Sequence, residues 1–290
     1  MSDDIIQVGN SLLQHGKLND RVYIMKLEPE DIDAILAEAE DLAVRHRYSK
    51  IFAKAPQSTT PDFRSRGYTQ EAAIPAPTPA QDGWVFMSLF LTAEREEPRA
   101  THEIMEVQAA TQTATRHAPT LEDLPHDYRF NIADGSDCVA LAALYDQVFP
   151  SYPFPIADPG FLRTNMETHV RYYLIHRGDQ LVAASSAEMD REHGLVEMTD
   201  FATLPSHRGK RLAQILLTEM DRDMTGEAFT TAFTIARAVS FGMNLTFARG
   251  DYEFGGTLRN NTQISGTIES MNIWYKHLLN NQNKSGVSNE

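Results

Sequence analysis

The sequence predicts an α/β fold built on a mixed sheet, an α+β arrangement of interleaved strands and helices. The clearest support is the stretch from Glu197 to Leu217, which has the pattern of a strand, a short turn and a helix. Pro205 closes the strand because proline cannot donate to a ladder. The helix is indicated by apolar residues at three- and four-residue spacing, namely Leu212, Ile215, Leu216 and Met220. Strand and helix patterns also follow one another in the rest of the chain.

The turn before this helix is rich in basic residues and glycine, with the sequence His207-Arg208-Gly209-Lys210-Arg211. The first N–H groups of a helix have no internal partner, and the helix dipole favours an anion there. The turn therefore predicts a phosphate site, and an ordinary basic helix start is the plainer alternative.

The N-terminal part of the chain shows one helix among several strands. Pro29 lies in the first turn of this helix beside acidic residues, as helix starts prefer, and the helix runs to about Arg47. Strands are predicted at 21–27, 50–54, 69–74 and 84–91. Loops are predicted at 56–61 and at the proline-rich stretch 75–83. We expect residues 1–92 to form one unit and the polar segment 93–129 to form a partly helical linker.

The second half is expected to form a domain over 130–280, followed by a polar tail at 281–290. Helices are predicted at 134–149 and 159–167. A strand at 170–177 turns at Gly178-Asp179 into a strand at 181–189, and a further strand is predicted at 229–236.

Composition excludes several classes of function. The formal net charge of −14 argues against non-specific nucleic-acid binding. It suits a cationic small substrate, or simply a soluble surface. No apolar run approaches the roughly 20 residues that cross a bilayer, and no signal peptide is evident. The single cysteine, Cys138, allows no internal disulfide, so the cytoplasm is the expected compartment. The histidines show no metal-ligand spacing, and no metal is expected.

Residues 208–213 resemble the R-x-x-G-x-[GA] pyrophosphate loop of the GNAT acetyltransferases (Gcn5-related N-acetyltransferases). The stretches MTDFATLP (198–205), TIARAVSFGMN (234–244) and 252–276 are similar to the β-lysine N-acetyltransferases within that family, as are VGNSLLQHG, LNDRVYIMKL and YSKIFAKAP in the first half. The resemblance implies a GNAT fold in the second half. Residues 1–92 are then a partial GNAT-like half without a phosphate loop, or an ordinary strand–helix–strand module.

The resemblance also implies a set of coenzyme A contacts. For the pyrophosphate these are the backbone at Arg208, Gly209, Lys210, Arg211, Leu212 and Ala213. The family usually has glycine where this chain has Arg211, which adds bulk and a cation. For the pantetheine arm and the thioester oxygen they are the strand backbone at Phe201, Ala202 and Thr203. Asn244 lies where the family contacts pantetheine, although asparagine also caps and turns.

Glu197 and Asp200 are the candidates for the catalytic base. Strand alternation places them on opposite faces, so only one is expected to face the acceptor amine. The resemblance gives Glu197 the role of draining the proton through water. Asp200 is then a ligand for the substrate ammonium, and two structural acids are the alternative. Glu188 and Asp190, on the adjoining strand, are weaker options.

The general acid is a gap in the pattern. Many GNAT enzymes have tyrosine at the place of Phe247, which has no proton to give and is kept here as a cofactor contact. Three alternatives stay open for the leaving thiolate. Tyr252 or Tyr275 gives it a proton, it leaves unaided, or it takes a proton from water.

Arg237 interrupts an otherwise apolar strand and needs a partner. That partner is the carboxylate of an amino-acid substrate, or else Asp200 or Glu197. The substrate pocket is expected to include Ser240, with Asn260, Asn261 and Thr262 close to the same end. Tyr152, in the stiff turn Tyr152-Pro153-Phe154-Pro155, is expected to wall the acceptor pocket, with packing as its alternative role.

The sequence thus predicts an acetyl-CoA-dependent N-acetyltransferase for a small amine. The resemblance implies conversion of (3S)-β-lysine to N6-acetyl-β-lysine, a compatible solute in osmoadaptation, by direct transfer in a ternary complex. Two alternatives stay open. One is acetylation of another amine, such as a polyamine, an antibiotic or a protein lysine, and the other is an acyl-CoA sensor without turnover. Neither nucleic acid nor membrane is an expected partner, and a homodimer is the assembly considered.

Overall fold

The computed structural model describes residues 3–278. Within this range thirteen strands belong to one mixed sheet. The first six strands are β1 (Asp4–Val8), β2 (Ser11–Gly16), β3 (Arg21–Lys26), β4 (Lys50–Pro56), β5 (Thr69–Ile74) and β6 (Trp84–Phe90). The other seven are β7 (Tyr128–Ile132), β8 (Val170–Arg177), β9 (Gln180–Asp190), β10 (Leu195–Thr203), β11 (Thr231–Arg237), β12 (Glu253–Ile264) and β13 (Thr267–His277).

The helices pack on the sheet or beside it. Those of the first half are α1 (Ile32–His46), α2 (Thr60–Ser65), α3 (Ala93–Glu96) and α4 (Thr101–Gln112). Those of the second half are α5 (Cys138–Val148), α6 (Pro159–Thr168), α7 (Leu212–Gly226) and α8 (Phe241–Arg249). The buried face of α1, with Ile35, Leu36 and Ala39, packs into the hydrophobic core of the first half. The buried face of α7, with Leu212, Ile215 and Leu216, packs into the core of the second half.

The two halves of the sheet mirror each other in strand order, which runs β1-β2-β3-β4-β6-β5 and then β12-β13-β11-β10-β9-β8-β7. In the first half α1 connects the parallel strands β3 and β4, and in the second half α7 connects the parallel strands β10 and β11. In each half the last two strands lie side by side in the reverse of their order along the chain, as β6-β5 or β13-β12, at the centre of the sheet. The first half therefore repeats the second without the strand β7 and the helices α5 and α6.

The halves join where β5 pairs with β12, at Ala72 and Gly256. A Cβ on Gly256 would lie 2.7 Å from the Cα of Ala72, so the close approach of the two strands requires glycine here. Beyond this junction the halves also face each other across a shared apolar core. Phe86 of β6 and Phe233 of β11 meet in it with ring centroids 6.3 Å apart. Strands far apart in the sheet order thus line the same space.

Several predicted elements need correction. Residues 56–61 are not a loop, because Pro61 lies at the start of α2, where its missing N–H costs nothing. Strands β1 and β2 were not predicted from the sequence. The segment 93–129 is partly helical, as predicted, and its helix α4 packs against α8. The division of the chain at residues 92 and 130 stays a prediction, and the predicted tail at 281–290 lies outside the described residues.

Candidate active site

Strand β10 separates from its parallel neighbour β11 halfway along its length. The two strands pair only at Leu195, Val196 and Glu197 of β10. From Met198 onward β10 is paired with β9 alone. Leu204 donates its N–H to the carbonyl of Val182 on β9, so strand alternation directs the N–H of Thr203 to the open side. The open edge offers backbone donors for a ligand.

The basic turn follows β10 and opens α7. Within residues 3–278 the N–H groups of 209–213 have no backbone acceptor. They surround the positive end of a 15-residue helix, an arrangement that binds phosphate groups. Gly209, Lys210 and Arg211 are exposed, so a ligand has access to this turn.

Arg211 adopts the left-handed conformation, with φ of 59°. Side chains with a Cβ are disfavoured in that region, which gives a physical reason for glycine at this position in related loops. Its side chain is exposed and donates a hydrogen bond to Nε2 of His117 at 3.2 Å. This bond holds the guanidinium on a residue outside the turn.

A cavity of about 170 Å³ extends from the open edge of β10 into the space between the halves. The second half contributes Tyr152, Phe201 and Phe247, and the first half contributes Arg21, Tyr23 and Phe52. The cavity is therefore built by both halves, and its lining includes Phe201 of the open edge.

Three carboxylates gather at this cavity, those of Glu188, Glu197 and Asp200. Asp200 is buried and accepts hydrogen bonds from Tyr152 Oη at 2.5 Å and Ser186 Oγ at 2.7 Å. Glu188 and Glu197 are direct partners across the β9–β10 ladder. The group places three titratable acids within reach of a ligand in the cavity.

Burial is the main reason that the pKa values of these acids are raised. The pKa of Glu197 rises to about 7; Asp200 adds to the rise and Lys54 opposes it. The pKa of Glu188 rises to about 8, through burial and then the charges of Glu197 and Asp200. Burial also raises the pKa of Asp200, against the hydrogen bonds from Ser186 and Tyr152. Such a group binds a cation and holds a proton near neutral pH.

The prediction that Glu197 and Asp200 occupy opposite faces is wrong, since both line the cavity. The ladder between β9 and β10 is interrupted between Thr199 and Ala202, and Asp200 has φ of 53°. The bulge inserts a residue, which reverses the alternation of faces beyond it.

Comparison with known proteins agrees with this geometry. Residues 113–241 match the Acetyltransferase (GNAT) family. The Beta-lysine N(6)-acetyltransferase of Methanococcus maripaludis is 36% identical over 274 residues, which cover 94% of this chain and 98% of that protein. The chain belongs to the GNAT acetyltransferases. N-acetyltransferase YodP of Bacillus subtilis is 30% identical, with 92% of this chain and 96% of that protein covered.

Solved structures of GNAT proteins resemble the chain over about half its length. The ribosomal-protein-S18-alanine N-acetyltransferase from Escherichia coli shares 11% identity, with a TM-score of 0.47. The match covers 54% of this chain and 97% of the Escherichia coli chain. An N-acetyltransferase from Staphylococcus aureus shares 16% identity with the same TM-score, and that match covers 52% of this chain and 99% of the other.

As a GNAT enzyme the protein transfers an acetyl group from acetyl-CoA. The open edge at residues 201–203 and the free N–H groups at 209–213 fit a thioester arm and a pyrophosphate. Between residues 3 and 278 no cluster of three or more side chains is arranged to hold a metal ion. None of the helices in that range is long and apolar enough to span a membrane.

Asn244, predicted to contact pantetheine, has protein partners for both polar atoms of its side chain. Its side chain is fully buried, and its Nδ2 donates to the carbonyls of Arg237 and Ser240 at 2.9 and 2.8 Å. Its Oδ1 accepts from Asn272 Nδ2 and Trp274 Nε1 at 2.8 and 2.9 Å. These hydrogen bonds tie α8 to β11 and β13, and the contact of Asn244 with pantetheine stays a prediction.

Two predicted substrate residues also have structural partners. Arg237 lines the cavity, but it makes a two-pronged ion pair with Glu269 of β13, at 2.9 and 2.7 Å, and none with Asp200 or Glu197. Ser240 caps α8 through Met243 N–H and lies outside the cavity lining. The cap explains the choice of serine without a ligand.

Phe247 stands where the resemblance implies a tyrosine, and the two tyrosines considered as substitutes have other partners. Phe247 is fully buried in the cavity wall, edge-on to Phe201 with ring centroids 5.5 Å apart. Tyr252 donates its hydroxyl to Asp221 at 2.7 Å, and Tyr275 donates to Glu253 at 2.8 Å. Neither lines the cavity, so neither replaces the missing tyrosine there.

Residues of the first half were missed as site residues. Arg21, Tyr23 and Met25 alternate along β3 and reach the cavity together. Lys54 of β4 lies near the same acids from another side. A signal was present in the sequence, since Arg21, Tyr23 and Met25 alternate in the predicted strand 21–27 and therefore share one face.

Proposed function

We propose that this enzyme acetylates N6 of (3S)-β-lysine (3,6-diaminohexanoate) by direct transfer from acetyl-CoA in a ternary complex. The observation that carries the proposal is the cavity in which Glu188, Glu197 and Asp200 meet the open edge of β10. Relatives bearing the name Beta-lysine N(6)-acetyltransferase, one matched almost end to end, support the choice of amine.

The donor is proposed to bind along the open strand and the basic turn. The N–H groups of Gly209 to Ala213 hold the pyrophosphate, with Arg208, Lys210 and Arg211 adding positive charge nearby. The backbone at Phe201, Ala202 and Thr203 receives the pantetheine arm and stabilises negative charge on the carbonyl oxygen. The bound thioester supplies an activated acetyl group.

The acceptor amine is proposed to lie against the acid cluster. An ammonium ion there stabilises the ionised forms of the acids, while Asp200 is fixed by Tyr152 and Ser186. Glu197 accepts the proton because its raised pKa brings it closer to that of an amine, about 10.4 in water. Water passes the proton on to solvent.

The leaving thiolate is proposed to depart without a tyrosine. Phe247 offers no proton, and the hydroxyl of Tyr152 is already donated to Asp200. A thiol with a pKa of about 8.5 is an adequate leaving group near neutral pH. It takes its proton from water.

We further propose that the product is a compatible solute made in the cytoplasm during osmoadaptation. This physiological assignment rests on the similarity to β-lysine acetyltransferases and on the single cysteine. The homodimer stays a prediction for a mass measurement in solution.

The test is thiol release from acetyl-CoA with β-lysine, α-lysine and spermidine offered separately at equal concentration. We expect the highest kcat/KM with β-lysine, and N6-acetyl-β-lysine as the product identified by NMR. Preference for spermidine would refute the assigned substrate while leaving the fold untouched. Coenzyme A binding without turnover of any amine would instead support the sensor alternative.

A further inference from the structure

Arg21 lies in the cavity wall contributed by the first half. Only 4% of its surface is exposed, so its charge is removed from bulk water. Its guanidinium lies over two aromatic rings, 5.2 Å from the centroid of Tyr23 and 5.5 Å from that of Phe52. These rings and β3 fix the position of the cation inside the site.

The hydrogen bonds of Arg21 satisfy only part of the guanidinium. Nη1 donates to the carbonyl of Asn261 and to Oγ1 of Thr262, the latter at 3.1 Å. Nε is buried without an acceptor, and Nη2 has no hydrogen bond to any described residue. No carboxylate of residues 3–278 makes an ion pair with this arginine.

Other cations in the same region do have carboxylate partners. Arg237 is paired with Glu269 at 2.7 Å, and Lys50 with Glu71 at 2.8 Å. Arg95, which shares the Asn261 carbonyl with Arg21, lies 3.6 Å from Asp20. A buried charge without a counter-ion is costly, so the position of Arg21 favours an anion that is not part of the protein.

The same cavity holds the acids at its other wall. Burial raises the pKa of Tyr23, with Glu197 adding to the rise and Arg21 opposing it, so Tyr23 is within electrostatic range of both groups. A ligand that satisfies the cavity therefore carries a cation for the acids and an anion for Arg21. The pyrophosphate of the donor has its own site at the start of α7.

We infer that Arg21 binds the carboxylate of the acceptor, so that the N-terminal half makes the enzyme selective for amino acids over plain diamines. The inference rests on the proposed function and assigns to the first half a part of its specificity. The guanidinium suits a carboxylate because it stays charged and its N–H groups point outward in one plane. Nη2, which has no acceptor among residues 3–278 and is not enclosed by the protein as Nε is, donates to the carboxylate.

The experiment compares β-lysine with its neutral amide, 3,6-diaminohexanamide, in wild type and Arg21→Gln. In wild type we expect kcat/KM to be higher for the acid. Arg21→Gln is expected to lower kcat/KM for the acid about 100-fold and to change that for the amide less than about 5-fold, the loss expected for a buried charge pair. The KM for acetyl-CoA is expected to stay unchanged.

Arg95→Gln is the matched control, because it removes an equally buried arginine that bonds to the same carbonyl but does not line the cavity. It is expected to affect acid and amide equally. If Arg21→Gln also lowers kcat/KM for the acid and for the amide by the same factor, Arg21 has a structural role. The inference is then refuted while the proposed function stands. If wild type acetylates spermidine but not β-lysine, the proposed function and this inference both fall.

If Arg21→Gln does not fold, Arg21→Lys keeps the charge and loses the planar guanidinium with its Nη2 donor. It is then expected to retain the preference for acid over amide in weakened form. An unchanged preference in a folded Arg21→Lys variant would contradict recognition by the guanidinium.

Discussion

Glu188 of β9 and Glu197 of β10 face each other directly across an antiparallel ladder, at the mouth of a cavity that both halves of the protein line. Like charges in that relationship normally destabilise a sheet. Here burial and repulsion raise the pKa of both acids, so one proton is readily held between pH 7 and 8. The pairing of two acids lowers the stability of the sheet, and it gives the site a base whose pKa lies near neutral pH.

Glu197→Gln is expected to lower kcat about 100- to 1000-fold, the usual contribution of a general base. The KM for acetyl-CoA should change little, because the turn at 209–213 is unaffected. Thiol release with β-lysine measures the effect. Asp190→Asn is the control, since Asp190 bonds to His193 and lies outside the main cavity. Equal losses in the two variants would contradict the role of Glu197.

The pH dependence follows from the charges around Glu197. The base must be unprotonated, so kcat/KM is expected to rise with pH through an apparent pKa of about 7. Lys54→Gln removes the positive neighbour that lowers the pKa of Glu197, so this rise is expected to shift to higher pH. Titration of the amine itself is the same in both enzymes. A rise at unchanged pH would show that Lys54 does not act on the base.

The order of the strands and the phosphate turn followed from local sequence. Alternation, proline and glycine signals are properties of a few neighbouring residues, and they located β8 to β10 and the start of α7 well. The mirrored half was also foreseen in part, since strand–helix–strand patterns occur in both halves. In the first half the turn before α1 has Glu28, Glu30 and Asp31 in place of basic residues, so it offers no phosphate site.

The site itself depended on contacts that local sequence does not contain. The bulge at Asp200 changed the face of one acid, and nothing in the composition of β10 marks that position. The partner of Arg237 is Glu269, which is 32 positions away and was set by the pairing of β11 with β13. Arg21 reaches the cavity only because the sheet folds its two halves together.

Asn244→Ala tests the structural role that the fold gives this residue. Removing its side chain leaves Asn272 and Trp274 without an acceptor in a buried site. We expect the free energy of unfolding to fall by about 2–4 kcal/mol, measured by urea denaturation. Ser240→Ala, which removes only a helix cap, should cost about 1 kcal/mol. A large rise in the KM for acetyl-CoA without loss of stability would instead restore the predicted pantetheine contact.

Arg211→Gly and Arg211→Ala separate backbone strain from charge in the phosphate turn. Both variants lose the cation and the bond to His117, so both should raise the KM for acetyl-CoA about 2- to 5-fold. Only glycine relieves the left-handed backbone, with φ of 59°. We therefore expect Arg211→Gly to be more stable than Arg211→Ala by about 1 kcal/mol, measured by urea denaturation. Equal stability of the two variants would show that the turn relaxes around a Cβ, and the preference for glycine in related loops would then reflect the space needed by the phosphate.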